Sequence, residues 1–298
     1  MQRGKPRNVP MPNRRTLLTS GLVGAGALGL GLSSDSGGAL VPAEPLPLAK
    51  QSNVSVERVH SQARNREVEI VTMYPSGVSR DRIPVCLMLH GRFGDARKSA
   101  GGLPSWLTTA VATGKVPPFA FLAVDGGGNS YWHQRFGDDP MWMLLDEVPR
   151  WLAERGIGGD DGQPFAVSGI SMGGFGALLY TRRRNELEIP VEATAVVSPA
   201  LITNWPEMAR RRAFADEADW RAIDPMRHIP ELGDVPLGVW CGTRDRFITG
   251  TRKFVRKARP EVASVSTPGG HNSRYYRLAL PEVVDFVGGY APDKSDHG

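Results

Sequence analysis

One pentapeptide, Gly169-Ile170-Ser171-Met172-Gly173, constrains this chain more than any other stretch. It is a G-x-S-x-G motif. The apolar run Phe165-Ala166-Val167 before it predicts a short buried strand, and Phe175–Tyr180 after it predicts the start of a helix. A serine at the apex of a sharp strand-to-helix turn is the pattern of a nucleophile elbow. Side chains at Gly169 and Gly173 would collide with the neighbouring strand and helix, so glycine is needed there. The turn holds the Ser171 hydroxyl out above a sheet. The helix N-terminus behind it offers free N–H groups to developing negative charge. The alternative is a glycine-rich turn with an idle serine, and the rest of the chain decides between the two.

Along the chain, apolar runs alternate with helical stretches. Val54–Val59 and Glu67–Tyr74 alternate enough to form two antiparallel strands joined by a polar turn at Ala63-Arg64-Asn65. Val85–Leu89, Phe119–Val124, Phe165–Ser168, Ala193–Val197, Leu237–Cys241 and Val262–Ser266 complete a set of eight. Continuous apolar runs of this kind suit strands covered on both faces. Helices are expected over Ser105–Thr113, Met141–Glu154, Met172–Arg184, Phe247–Ala258 and Arg274–Val287, with a kink or fresh start at Pro149. The alternation predicts an α/β fold with an eight-stranded, mostly parallel sheet flanked by helices. Residues 199–236 form a long connection containing Trp205, Met208, Phe214 and Trp220. Short helices roofing a pocket are one reading of it, and a packing excursion is the other.

A serine hydroxyl needs a neighbouring base, and histidine suits near neutral pH. His271, in Pro268-Gly269-Gly270-His271-Asn272, follows the last strand and precedes the last helix. Asp245 leaves the seventh strand in Gly242-Thr243-Arg244-Asp245. The order Ser171…Asp245…His271 is that of an elbow-type triad. Asp245 would also suit a helix N-cap, and Asp224 is the fallback acid. The backbone N–H of Met172 predicts one oxyanion donor. The second is expected from Arg92 in Leu89-His90-Gly91-Arg92-Phe93, with Phe93 as the alternative. His90 is read as shaping this loop. Asp125-Gly126-Gly127-Gly128 lacks the Lys-Ser/Thr of a phosphate loop. It reads instead as leading into a pocket wall containing Trp132, with Tyr131 and His133 nearby; Tyr131, Trp132 and Phe93 are the expected substrate contacts. A base that must be neutral predicts activity falling below about pH 6.5, the reference histidine value.

Charge separates one end of the chain from the rest. Of 298 residues with net charge +5, residues 1–50 hold six Lys/Arg against Asp35 and Glu44. The remainder is nearly neutral, which argues against nucleic acid as a partner. Asn13-Arg14-Arg15 precedes the uncharged, glycine-rich run Leu17–Leu32. That run is too short for an ordinary membrane span of about 20 residues. Paired arginines before it are similar to a twin-arginine export signal, with Val41-Pro42-Ala43 as the cleavage site. A retained anchor or tail is the alternative. Residues 1–43 are therefore expected to be a signal peptide, 44–292 one catalytic domain and 293–298 a tail. The expected location is secreted or cell-envelope. Cys86 and Cys241, the two cysteines, lie in strand-like runs not expected to be neighbours, so both are read as buried thiols. No metal-ligand spacing occurs, and no cofactor or metal is expected.

Leu89-His90-Gly91, Asp125-Gly126-Gly127 with Tyr131-Trp132, Met141–Leu152, Gly169–Gly174, Gly242-x-x-Asp245 and Gly270-His271 together resemble a known group. It comprises the serine esterases of the esterase D, feruloyl esterase and antigen 85 families, a branch of the α/β-hydrolases. The likeness covers roughly residues 50–290. It implies an α/β-hydrolase fold, a triad of Ser171, Asp245 and His271, and cofactor-free chemistry on carboxylic esters through an acyl-enzyme. Antigen 85 members transfer mycolic acyl groups, so acyl transfer to envelope sugar or lipid is the alternative activity. The composition and the export signal resemble an actinobacterial member. A non-catalytic envelope-binding protein and a peptidase are weaker alternatives.

Overall fold

The computed structural model describes residues 53–99 and 101–292. The expectations for residues 1–43 and 293–298 lie outside the described residues. Eight strands form one sheet: β1 (Val54–Ser61), β2 (Arg66–Met73), β3 (Val85–Leu89), β4 (Ala120–Val124), β5 (Ala166–Ile170), β6 (Ala193–Val197), β7 (Leu237–Trp240) and β8 (Val262–Ser264). Their order is β1-β2-β4-β3-β5-β6-β7-β8. β1 pairs antiparallel with β2, and β2 with β4. Every pairing from β4 through β8 is parallel. This is the α/β-hydrolase fold. The chain leaves β3 for β4 on one side and later returns beside β3 with β5. The carboxyl end of β3 is therefore a topological switch point, where open α/β sheets bind ligands.

The central strands are mostly apolar because helices cover both faces. β3, β4 and β6 are buried at every residue. On one face α2 (Leu103–Ala112) and α9 (Ser273–Gly288) pack through Leu103, Leu107, Ala279 and Val283. On the other, α5 (Met172–Glu186) contributes Phe175, Ala177 and Leu178 and α8 (Ile248–Ala258) contributes Phe254. α5 has no single apolar stripe and is buried over eleven of its fifteen residues. A helix apolar or small on all sides belongs inside a core. Side chains cap some of the helix starts. Asn272 accepts from the Tyr275 N–H at the start of α9.

At Pro149 the helix starts afresh without a gap. α3 (Pro140–Trp142) runs through a π-helical turn, Met143–Glu147, into α4 (Val148–Glu154). The Val148 N–H reaches the Met143 carbonyl, five residues back. A proline without an N–H leaves such a helix room to widen. The widened turn carries Glu147 inward. Its carboxylate accepts from the Ser61 hydroxyl at 2.5 Å and from the Gln62 and Ala63 N–H groups at 2.7 and 3.0 Å. The β1–β2 turn is thus fastened to the helix by a buried acid. Its Arg64 is buried rather than solvated. The guanidinium pairs with Asp138 at 2.7 and 2.9 Å and donates to the Asp125 carbonyl at 2.5 Å.

Residues 199–236 pack largely on the core, and Arg211 among them reaches the cavity at the carboxyl end of the sheet. They form α6 (Trp205–Ala209), α7 (Glu217–Ile223) and a 3-10 turn at Pro230–Leu232. Trp205 stacks on Trp220 at 6.1 Å, and Met208 and Trp220 are buried. Burying these large apolar side chains stabilises the excursion against the sheet layer. Cys86 lies in β3 and Cys241 directly after β7, with β5 and β6 between. Both are free, buried thiols.

Candidate active site

The elbow is built by close backbone approach. A Cβ at Gly169 would overlap the carbonyl of Gly173, and one at Gly173 would overlap the carbonyl of Leu89. Ser171 itself has φ 58 and ψ −115, a conformation costly for a residue with a side chain. Three hydrogen bonds hold it. The Ser171 N–H donates to Val197 at 2.9 Å, and its carbonyl accepts from Ala200 at 2.9 Å and Phe175 at 3.2 Å.

The turns after β7 and β8 bring the other two side chains to this end of the sheet. Ser171 Oγ lies 2.9 Å from His271 Nε2, across one hundred residues of sequence. His271 Nδ1 lies 2.9 Å from Asp245 Oδ2. Asp245 is 3% exposed. Burial works to raise its pKa. The hydrogen bonds from His271 and from the Phe247 N–H outweigh it, and the carboxyl sits below its ordinary value. The second oxygen, Oδ1, accepts that Phe247 N–H at 2.8 Å, just before α8 begins. Asp245 is not the N-cap of α8, which is Phe247; its Oδ1 closes a turn just before the helix while its Oδ2 faces His271. Phe247 also packs edge-on to the His271 ring at 4.9 Å, and Tyr276 does so at 5.5 Å.

The loop after β3 crosses directly over the elbow. A Cβ on Gly91 would sit 3.3 Å from Ser171 Cβ. The Phe93 N–H is taken by the Gly128 carbonyl at 2.6 Å. Among the described residues the N–H groups of Arg92 and Met172 have no acceptor. His90 fixes the loop from below. Its Nε2 accepts from the Gly126 N–H at 2.9 Å, so the proton must be on Nδ1, which donates to the Gly91 carbonyl at 2.9 Å. Burial lowers the pKa of this imidazole and keeps it neutral.

Trp132 is not a pocket-wall residue. It is fully buried, donates its indole N–H to the His90 carbonyl at 3.3 Å, and lies against Gly126 and Gly176, where no Cβ would fit. The physical reason is a double turn. Tyr131 and Trp132 both have positive φ, 49 and 61, which sends the indole into the core. Tyr131 does line the cavity, edge-on to Phe175 and Phe214. His133 is buried beside it, stacked on Phe214 at 4.6 Å and bonded to the Ala213 carbonyl at 3.0 Å. Gly126 and Gly127 make room for Trp132 and Arg64, which accounts for the glycine run without a phosphate. It is Asp245 and not Asp224 that His271 Nδ1 meets. Asp224 accepts from the Met226 N–H at 3.1 Å, and burial raises its carboxyl to about 6.

Ser171 and His271 open onto a cavity of about 450 Å³, which Arg92, Phe93 and Tyr131 also line. Phe93 stands 69% exposed at its rim. The sequence reading missed Arg211, Arg246, Phe247 and Tyr276, which also line the cavity. Arg246 and Phe247 directly follow Asp245, a position that could have marked them. Arg211 comes from the excursion, and nothing local in the sequence points to it. Among the described residues there is no group of side chains suited to a metal ion, and no helix long and apolar enough to cross a membrane.

Fold and cavity together define an α/β-hydrolase. Residues 61–286 match the family model described as "Putative esterase", and the chain belongs to that esterase family. It is a hydrolase of carboxylic esters. Solved structures agree in fold. A ferulic acid esterase is 20% identical with a TM-score of 0.67, the match covering 82% of this chain and all of that one. An S-formylglutathione hydrolase from Agrobacterium tumefaciens is 13% identical with a TM-score of 0.64, covering 80% and 95%. MPT51 from Mycobacterium tuberculosis is 17% identical with a TM-score of 0.60, covering 81% and 100%. None of the curated proteins compared is significantly similar.

Proposed function

We propose that Ser171, His271 and Asp245 form the catalytic triad of a serine ester hydrolase working through an acyl-enzyme. The observation that carries this is the pair of 2.9 Å contacts from Ser171 to His271 to Asp245, on a serine held at positive φ. Ser171 Oγ attacks the acyl carbonyl carbon while His271 Nε2 takes its proton. Asp245 holds the Nδ1–H and stabilises the imidazolium. The Met172 and Arg92 N–H groups receive the oxyanion, since neither has another acceptor among the described residues. His271 then gives the proton to the departing alcohol. Water, deprotonated by His271, releases the acid and restores Ser171. A fluorophosphonate probe should label Ser171 and leave Ser171→Ala unlabelled. Labelling elsewhere, or none, would refute the assignment. A p-nitrophenyl ester series would then read the acyl length.

Acyl transfer uses the same groups with an alcohol in place of water, and product analysis with alcohol acceptors separates the two. We further propose export of the chain, on the strength of Arg14-Arg15 and the uncharged run that follows. A mature N-terminus near Glu44 in secreted or envelope material is the expected mass-spectrometric result. An intact N-terminus in cytosol would contradict it.

A further inference from the structure

The cavity wall carries charge of one sign. Arg92, Lys98, Arg211 and Arg246 line it, and no Asp or Glu does. Lys98 is neutralised by Asp95 at 2.7 Å. The three arginines are not neutralised to that degree. Arg211 has a single long contact, 3.4 Å to Glu207, and its buried Nε has no partner. Among the described residues Arg92 and Arg246 make no ion pair. Instead all three lie over aromatic rings. Arg92 is 4.6 Å from the Phe93 ring, and Arg211 and Arg246 are 5.6 and 5.9 Å from the Phe247 ring. Phe247 in turn packs on His271. Two guanidinium groups therefore sit one aromatic ring away from the imidazole that faces Ser171. All three also act on the Tyr131 hydroxyl, offsetting part of the rise that burial imposes on it.

Surface arginines ordinarily find carboxylates, and a concave site lined by unpaired cations concentrates anions. Guanidinium groups held on aromatic faces lose little freedom when they bind a carboxylate or phosphate. We infer that the cavity selects esters bearing an anionic group, a carboxylate or phosphate, on the acyl or alcohol side, held by Arg211 and Arg246 together with Arg92. This rests on the esterase reading of Ser171 and specifies its substrate class.

The test compares matched neutral and anionic esters. p-Nitrophenyl butyrate is set against p-nitrophenyl hemisuccinate for the acyl side. Phenyl acetate is set against 4-acetoxybenzoate for the alcohol side. After correction for spontaneous hydrolysis, kcat/KM should favour the anionic member of at least one pair by roughly tenfold, the worth of one charge-assisted hydrogen bond. The preference should shrink in about 0.5 M salt. It should also fall in Arg211→Gln and in Arg246→Gln. Arg246 is exposed, so its variant keeps the test open if the half-buried Arg211 proves necessary for folding. A neutral preference in both pairs, or a ratio unchanged in both variants, overturns the inference while the esterase stands. An enzyme that neither turns over any of the four esters nor takes a fluorophosphonate label sinks both.

Discussion

His271 Nε2 lies 2.9 Å from Ser171 Oγ, although the two residues are one hundred positions apart and rise from different turns. Neither group can do its part without the other. Ser171→Ala and His271→Ala should each lower kcat by at least about 10⁴, and the double variant should be no worse than either. Additive losses in single-turnover assays would show that the two act independently.

Asp245→Asn isolates the charge on the acid. The amide oxygen can still accept the Phe247 N–H, so the start of α8 should survive. The orientation of the His271 ring and the anion behind it should not. A loss of about 10⁴ in kcat, with a lowered melting temperature at neutral pH, is expected. The carboxyl sits below its usual pKa. The stability it lends is therefore present above the unfolded-state value and disappears only as pH falls through the lower folded one. Acid unfolding of the wild type and of Asp245→Asn, compared side by side, measures this.

Gly173 has no room for a methyl group. Its Cβ would overlap the Leu89 carbonyl and press on that of His90. Both are backbone atoms at the end of β3, and β3 is paired on both sides. Gly173→Ala should cost more than about 1–3 kcal/mol in urea unfolding, or displace the elbow and abolish labelling of Ser171. A folded, fully active alanine variant would contradict the packing described.

Asp224 is a buried acid whose folded pKa is raised from 3.8 to about 6. The folded state holds its proton more tightly than the unfolded chain does. Its ionisation therefore lowers stability as pH rises from about 4 to about 6, and the cost is then constant, at most about 3 kcal/mol. Asp224→Asn keeps an acceptor for the Met226 N–H. It should match the wild type below pH 4 and exceed it by roughly 1–3 kcal/mol at pH 7.5. Equal stabilities at both pH values would show that the carboxyl is solvated.

Much of the architecture could be read from local pattern. β3 and β6 were expected with the bounds they have, because runs such as Val85–Leu89 can be satisfied only with both faces covered. The end of the seventh strand differs by one residue. The helix through Pro149 is expected to kink or restart, and a new α-helical stretch does begin at Val148, reached through a π turn whose Glu147 meets the distant Ser61 turn. The Ala63-Arg64-Asn65 turn reads as polar. Arg64 is buried because Asp138 and the Asp125 carbonyl, more than sixty residues away, complete its hydrogen bonds.

The sequence by itself determined the strand–turn–helix at Ser171, the alternation that makes the sheet parallel, and the Ser, Asp and His that follow the ends of their strands. Each is a matter of residue type at short spacing, where sterics and periodicity act within a few residues. Only the tertiary structure decided that Trp132 points into the core, that residues 199–236 pack on the sheet layer, and that Arg211 and Arg246 share a wall with His271. Those outcomes depend on backbone turns of unusual hand and on partners tens of residues away. No local pattern encodes them, because the free energy that selects them arises when the layers close.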